Sequence, residues 1–533
     1  MALPTDEPTE AIQDAPDLDV DLDVDVLIVG AGPVGCWLAA ELCAAGVRVQ
    51  VIEARESRVA WSRGFVVHPR TLEILDSRGV AQPLVAAGNR LPTWHFAIGS
   101  RRLDFTALPT AFPFVLIQPQ ARTEELLEEH LNRHGGSVLR GRRAGDLKQD
   151  TDHVSVSVLH DRSVHTVTAR FVVGCDGARS AVRRAAGLGF SGSPDTMVSA
   201  SALVELADPP PPEQYMQTRE QGSFFAIALP DGRFVVSTID HAAMHDVETP
   251  WTTEMLRASL LRITGTDYGM GEPERMSTLG NLTRQAHRYR DRRVLLAGDA
   301  AHIHFPMGGQ GMNLGIQDAH NLAWRLTAAV RAERGQPADD AGTPDALLDG
   351  YEVERRPVGE RVLEDVRAQM ALVAATGADG AALRARFETL LFEHPAVNLQ
   401  YARRLSGLDV RYPMPGPGGE GQSEDPRVGA RVPDLLLDVT DPEAGSSAGT
   451  RLYGLLRRVG AGRSIRLIVA GGDPRGEDNG AGLGSGDSAV KVVARSVLGP
   501  DWALREGWGR AESILIRPDG HIAGITPITR LHE

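Results

Sequence analysis

The 533-residue sequence predicts an α/β fold in which strands feed helices through glycine turns. Three observations predict it. Residues 26–29 (VLIV) run into GAGPVG, residues 171–174 (FVVG) into CDGARS, and residues 294–297 (VLLA) into GDAAHIHFPMGGQGMN. Each is a short apolar run of strand length that breaks at a glycine-containing turn.

Taken in order, residues 1–24 carry DLDVDLDVD and are expected to form a solvated, disordered acidic tail. The first strand follows, and its turn has Gly30, Gly32 and Gly35 in GxGxxG spacing. Residues 36–45 suit a helix, Gly46 stops it, and residues 47–52 make a second strand ending in Glu53. This is the complete βαβ setting of a Rossmann-like dinucleotide site. Gly30 makes the tight turn, Gly32 lets the backbone approach a pyrophosphate, Gly35 allows helix to pack on strand, and Glu53 accepts hydrogen bonds from a ribose diol. The expected ligand is an adenine dinucleotide.

Beyond Glu53 and Ala54, the arginines Arg55, Arg58, Arg63 and Arg70 cluster near the end of that strand, where a guanidinium can pair phosphate bidentately. Arg55 and Arg58 read as solvated surface, and His68 as a loop histidine without a metal partner. The run VLIQPQARTEELLEEHL ends a strand at Gln118, Pro119 and Gln120 and continues as an amphipathic helix through Leu126, Leu127 and Leu131. Strands at 154–159 and 164–169 lead to CDGARS, where Asp176 can bond a cofactor hydroxyl, Gly177 permits the turn and Arg179 adds a cation. Between 190 and 284 the texture changes to a polyproline connector at 209–212, strands at 223–229 and 233–239 around Pro230-Asp231-Gly232, and a helix at 253–263.

The third glycine stretch holds Pro306, Gly308, Gly309 and Gly311 in its loop. Leu314, Ile316, Ala319, Leu322, Ala323 and Leu326 then repeat mostly at spacings of three and four, as in an amphipathic helix. A helix N-terminus fed by such a loop suits an anion, or a reducible ring that becomes anionic. His302 and His304 have no further ligands at metal spacing, so no metal is expected. Residues 411–427 (RYPMPGPGGEGQSEDPR) form a linker by composition. Residues 428–533 read as a separate α/β unit with a helix at 450–459 and strands at 465–470 and 513–517, and Gly482, Gly484 and Gly486 read as flexible linker.

A net charge of −14 and a pI near 5.6 argue against nucleic acid as a partner. No apolar run approaches the roughly 18 residues of a membrane span, and the N-terminus has no signal-peptide pattern. Cys36, Cys43 and Cys175 are the only cysteines and form no CxxC, so a reducing cytoplasm is expected.

GAGPVG, CDGARS and AGDAAHIHFPMGGQGMN, in this order, resemble the motifs of the single-component, FAD-dependent aromatic hydroxylases related to p-hydroxybenzoate hydroxylase, in particular the bacterial aromatic polyketide oxygenases. SRGFVVHPRTLEIL (62–75) and YEVERRPVG (351–359) extend the resemblance, which spans roughly residues 25–365. It implies FAD held by Gly30, Gly32, Pro33, Val34 and Gly35, by Glu53 with Ala54, and by Asp176 and Gly177. Gln120 matches the family's cofactor-contacting glutamine, although the usual acidic residue two positions later is Arg122 here. Asp299 matches the aspartate that bonds a ribityl hydroxyl. Pro306, Gly309 and Gly311 would lie beside the isoalloxazine, and Met312 and Asn313 would hold its pyrimidine edge through backbone N–H groups. Arg63, whose counterpart lies over the flavin and its phosphates, is the one catalytic candidate.

The implied architecture is a Rossmann-like FAD-binding domain in two parts, 25–189 and 285–410 with closing helices. A β-sheet substrate domain is inserted at 190–284 and helped by residues near 90–118, and a thioredoxin-like domain follows at 428–533. With no cysteine after Cys175, thiol chemistry there is excluded. The implied reaction uses NADPH or NADH, visiting transiently, to reduce FAD. Dioxygen then forms a flavin 4a-hydroperoxide, which passes one oxygen to a polycyclic aromatic polyketide of antibiotic biosynthesis by hydroxylation. Two alternatives stand beside it: a Baeyer–Villiger insertion leading to a lactone, with Arg63 stabilising the peroxide anion, and a non-catalytic flavin-binding protein. The C-terminal domain is expected to be either a homodimer surface or a stabiliser.

Overall fold

A computed structural model of the protein describes residues 24–58, 64–336, 343–414, 423–441, 445–469, 489–499, 508 and 511–527. The acidic tail through residue 23, Arg63, and Gly482, Gly484 and Gly486 lie outside the described residues. Val24, expected in the tail, opens the first strand.

That strand, Val24–Val29, pairs in parallel with Val49–Glu53 on one side and Ser163–Gly174 on the other. Val138–Arg140 and Val294–Leu296 extend the parallel sheet outward. Its apolar runs are buried without alternation, as a parallel sheet requires: Val26, Leu27, Ile28, Val172, Val173 and Leu295 have no exposed surface. The strands expected at 164–169 and 171–174 are one continuous strand, because Ser163–Gly174 pairs with the antiparallel Val154–His160 along its first half and with Val24–Val29 along its second. Helix Pro33–Ala44 packs against Gln120–Arg133 and Gly311–Glu333, which locks the front and rear motifs onto one sheet.

A second sheet is antiparallel, in the order Met216–Arg219, Gly222–Ala228, Phe234–Asp240, Val198–Val204, Arg275–Gly280. Alternation gives it two apolar faces. Phe224, Val236 and Ala202 pack on helix Thr253–Thr264 through Leu256 and Leu260. Phe225, Ile227 and Val235 face the other way, into a cluster with Phe305, Met307 and Val366.

The C-terminal unit is a six-stranded sheet, in the order Gly445–Arg451, Leu436–Asp441, Val490–Gly499, Ile465–Val469, Ala511–Ile516, Ile522–Pro527. Thr450 and Arg451 pair with Leu437 and Leu436 as the end of a strand, so the expected helix begins only at Leu452. Among the described residues no helix is long and apolar enough to cross a membrane.

Helix Gly311–Glu333 departs from the amphipathic stripe expected of it. It is buried nearly all round, and Gln317, Asp318, His320, Asn321 and Arg325 are inside. The reason is the C-terminal unit, whose turn after Ile516 covers the outer face. Arg517 Nη1 and Nη2 donate to Glu354 Oε1 and Oε2 at 2.7 and 2.9 Å, and its Nε donates to Asp519 Oδ1 at 3.1 Å. Arg325 pairs with Glu354 at 2.7 Å, and Asn321 Nδ2 donates to both Glu354 and Asp519. The segment read as a linker joins this seam at its start. Tyr412 is buried, its hydroxyl accepts from Arg355 Nη1 at 3.1 Å, and its ring lies 4.3 Å from that of His521.

Burial alone would raise the Glu354 and Asp519 carboxyls, but Arg517 outweighs it and holds both below their ordinary values of 4.5 and 3.8. A depressed native pKa stabilises the fold above the unfolded value, and that contribution is lost as pH falls through the native one. Replacing Arg517 by Met removes the guanidinium that two buried carboxylates share, leaving Glu354 with Arg325 and Asn321, and Asp519 with Asn321, and we expect it to cost about 3–5 kcal/mol at neutral pH. Calorimetric melting should show that loss, together with a flatter decline in stability below pH 4.5 than in the unsubstituted protein.

Candidate active site

The three glycine turns meet at the carboxyl ends of neighbouring parallel strands, where open α/β sheets take their ligands. Gly30 has φ +104°, and a Cβ there would collide with the Cys175 carbonyl; one on Gly35 would collide with the carbonyl of Gly30. Val34 is wedged between two further glycines. A Cβ on Gly298 would come within 2.9 Å of its methyls and one on Gly315 within 2.6 Å. Gly32, the N-cap of helix Pro33–Ala44, is different: a Cβ there meets nothing within 4 Å, and the same holds at Gly177.

Glu53 is half-buried at the end of its strand. Its Oε2 accepts from Ala31 N–H and its Oε1 from Arg55 N–H, both at 3.0 Å, which leaves lone pairs on each oxygen for further donors. Ala54, Arg55 and Arg58 are exposed, and Arg58 lies 3.5 Å from Glu128. Gln120 opens its helix with its N–H on Gly64 O at 2.9 Å and its Nε2 on Glu124 Oε1 at 2.7 Å. Asp176 Oδ2 accepts from Ala181 and Val182 N–H at 2.6 and 3.2 Å, capping the short helix Ala181–Ala185. Its Oδ1 is enclosed without a protein partner, and burial raises its carboxyl pKa.

Asp299 keeps an exposed surface, and desolvation by the surrounding protein raises its carboxyl pKa. A Cβ built on Gly311 would lie 4.0 Å from Asp299 Oδ1, which places the start of the long helix beside it. The N–H groups of Gly311, Met312 and Asn313 precede the helical bond from Leu314 N–H to Gln310 O at 2.9 Å and are the open donors of a helix N-terminus.

The side chain of Asn313 is committed elsewhere. Its Oδ1 accepts from His68 N–H at 2.8 Å, and its Nδ2 donates to Val66 O at 2.9 Å and Gly309 O at 2.8 Å. Gly309 is held at φ +74° against Val66, where a Cβ would come within 2.5 Å. Pro306 is exposed at the loop's start. His68 is no free loop histidine: it is buried as the N-cap of helix Pro69–Asp76, and its Nε2–H donates to Gly308 O at 2.8 Å. Trp94 Nε1–H donates to the same carbonyl at 3.2 Å. Burial lowers the His68 pKa to about 4, so the ring is neutral at ordinary pH.

Beside this loop stands an aromatic cluster. The Phe225 ring lies 6.2 Å from Phe65 and 5.8 Å, edge-on, from His95. Burial, then Arg102 and His68, lower the His95 pKa to about 3, so it too is neutral. These rings, Trp94 and His68 had no local signal, because they come from residues 65 to 225 of the chain and converge only in the fold. His302 and His304 are also tied to other groups, His302 Nε2 to Asp318 Oδ2 at 2.6 Å and His304 Nδ1 to Phe305 O at 2.7 Å.

Of the predicted residues, contacts bring together Gly30 and Gly35 with the turn at Cys175 and Asp176, Val34 with Gly298, Asp299 with Gly311, and Asn313 with Gly309; Arg63 stands outside the described residues. Replacing Asn313 by Ala leaves the His68 N–H and the Val66 and Gly309 carbonyls unpaired. A loss of about 1–3 kcal/mol is expected for each group that water cannot reach, seen as a lower melting temperature even without any cofactor.

Residues 23–366 match the FAD binding domain family. Across 94% of its length the chain is 40% identical to an uncharacterized aromatic compound monooxygenase of Bacillus subtilis, covering 93% of that protein. It is 38% identical to the 12-dehydrotetracycline 5-monooxygenase/anhydrotetracycline 6-monooxygenase of Streptomyces rimosus, over 93% of this chain and 94% of that one. A solved aromatic hydroxylase from angucycline biosynthesis superposes with a TM-score of 0.81 at 34% identity, over 96% of this chain and 97% of that one. Matched by that family over residues 23–366 and by these relatives along almost its whole length, the chain belongs to the FAD-binding family of aromatic monooxygenases.

Proposed function

We propose that the chain is an NAD(P)H-dependent FAD monooxygenase that inserts one atom of dioxygen into a polycyclic aromatic polyketide, as a hydroxylation. The observation that carries this reading is the aromatic cluster of Phe65, His95 and Phe225 on the same side of the fold as the loop and helix start from Gly308 to Asn313, which Trp94 and His68 join to it through the Gly308 carbonyl. The Streptomyces relative's name specifies tetracycline precursors and the solved hydroxylase belongs to angucycline biosynthesis, which supports the substrate class.

The residues fit FAD on their own terms. The open approach at Gly32 and Gly177 leaves room for a pyrophosphate, the unpartnered Asp176 Oδ1 and the accessible Asp299 await hydroxyl donors, and three helix-terminal N–H groups await acceptors. In this reading Gly30 to Gly35 and Glu53 with Ala54 hold the adenosine half. Gln120, Asp176, Gly177 and Asp299 hold the linking chain, and Pro306, Gly309, Gly311, Met312 and Asn313 border the ring system. Arg63 remains the proposed cation over it. Bound FAD supplies reduction by a nicotinamide and activation of dioxygen. The chain's own residues position the ring, exclude water and present the substrate carbon. No acid or base is assigned, since a phenolic substrate supplies its own activation by ionising.

The domain division belongs to the same proposal: a FAD domain at 25–189 and 285–410, a substrate domain at 190–284, and a thioredoxin-like domain at 428–533. For the last, the support is a parallel pair, Ile465–Val469 with Val490–Gly499, flanked on both sides by antiparallel strands.

The test is to reduce the FAD-loaded protein with NADPH without oxygen, then mix it with buffer equilibrated with oxygen-18-labelled dioxygen and with aromatic polyketides. Incorporation of one labelled oxygen as a phenol supports hydroxylation, a lactone in the NMR spectrum replaces it with Baeyer–Villiger chemistry, and reoxidation without product across the panel rejects both. Replacing Glu53 by Ala removes hydrogen bonds to a charged acceptor worth about 1.5–3 kcal/mol each. FAD should then dissociate about ten- to a hundredfold more readily, as read by flavin fluorescence.

A further inference from the structure

The register of the antiparallel sheet sets four residues side by side on the face that carries Phe225 and packs toward Phe305 and Met307. Ser277 pairs with Ser201, Ser201 with Ser237, and Ser237 with Phe225, the ring that meets Phe65 and His95. The neighbouring row on the same face also carries hydroxyls, but they are consumed inside the protein. Ser199 Oγ donates to Thr238 O at 3.0 Å, and Thr218 Oγ1 bonds Ser223 Oγ at 2.8 Å. The Ser201 row is not consumed. Ser277 Oγ is enclosed with no partner, and neither Ser201, which is 6% exposed, nor Ser237 has a side-chain hydrogen bond to another described residue. A buried hydroxyl without a partner costs about 1–3 kcal/mol; Ser277 Oγ carries that cost, and with the two unpaired hydroxyls beside it the row is an arrangement that a ligand would complete.

We propose that Ser201, Ser237 and Ser277 form a specificity ladder that reads oxygen atoms along one edge of a linearly fused aromatic substrate. The inference rests on the monooxygenase reading for the identity of the site and deepens it by naming what the sheet recognises. Adjacent strands stand about 4.8 Å apart, close to the separation of oxygens on alternate rings along one edge of a linear polycycle. Each serine hydroxyl both donates and accepts, so the ladder takes carbonyls, phenols and phenolates alike. Leu203, Val235 and Ile227 form the apolar row on the other side of the serines. The ring edge lies along the hydroxyls, and this alignment selects the carbon that is presented for oxygenation.

The probes are 1,8-dihydroxyanthraquinone, with both hydroxyls and the carbonyl between them on one edge, and its 1,5-isomer, with the hydroxyls on opposite edges. Binding to the FAD-loaded protein is read from the change in flavin absorbance. The unsubstituted protein should bind the 1,8-isomer about three- to tenfold more tightly. Ser201→Ala and Ser237→Ala should each shrink that preference, and Ser199→Ala, whose hydroxyl is paired internally, should preserve it. Retained FAD and a melting temperature no lower than that of the unsubstituted protein confirm that each variant is folded, and Ser237→Cys, which also loses the strong donor at nearly constant volume, stands in if Ser237→Ala is not. Equal affinities in the unsubstituted protein, no binding of either isomer, or a preference that survives both substitutions overturns the ladder. A serine-dependent preference with no oxygenated product from either isomer supports the ladder and counts against the monooxygenase reading.

Discussion

Backbone meets backbone where the three glycine turns converge, and the rest of the site depends on how close that approach is. Gly30 lies against the Cys175 carbonyl, Gly35 lies against Gly30, and Val34 fills the space that side chains on Gly298 and Gly315 would need. At Gly30 two penalties would coincide for any other residue: a positive φ, which costs an L-residue about 1–2 kcal/mol, and a collision with a carbonyl that the parallel sheet holds in place. Because these contacts are rigid, the start of helix Pro33–Ala44, Asp176 with the turn at Gly177, and the start of helix Gly311–Glu333 all face one opening. Partial positive charge from two helix ends then accumulates where an anionic cofactor would lie.

Behind that opening, Asp318 braces the third turn. Its Oδ2 accepts from Gly298 N–H and His302 Nε2, and its Oδ1 accepts from Arg355 Nε at 2.7 Å, with Asp318 and Arg355 both fully buried. Burial works against the charged carboxyl, but Arg355 and His302 outweigh it and keep the pKa below the ordinary value. Arg355 continues to Tyr412, and Tyr412 to the ring of His521. The turn that carries Asp299 is therefore supported through four side chains by the C-terminal unit. Such a network is costly when one partner is missing and holds a single geometry when complete.

What could be read from the chain alone divides along the same lines. The glycine turns, Glu53 and the helix after Gln120 were legible because a turn, a strand end and an apolar period are encoded within a few consecutive residues. The burial of Asp318, Asn321 and Arg325 was not, since the residues covering them, Arg517 and Asp519, lie some two hundred positions later and a helical period only reports which face is apolar. Thr450 and Arg451 suited a helix locally, but the sheet recruited them through pairing with Leu437 and Leu436. Asn313 was expected to act through its backbone, and its side chain proves to be the clasp between Val66, His68 and Gly309. The aromatic cluster has no local sequence signature, because its rings come from separate loops and strands.

The distribution of charge then explains how one molecule combines a braced scaffold with an apolar reaction space. Full ions are concentrated at the seam between the parallel sheet and the C-terminal unit, where each has an opposite charge within hydrogen-bonding distance. Around the aromatic cluster, His68 and His95 have pKa values that burial has driven down to about 4 and, with Arg102 and His68 adding to it at His95, about 3. Neither carries charge at neutral pH, so neither holds a hydration shell that an entering ring would have to strip away. A positive charge at either position would draw water into the space that must exclude it. The same burial that encloses the scaffold's ion pairs keeps His68 and His95 neutral.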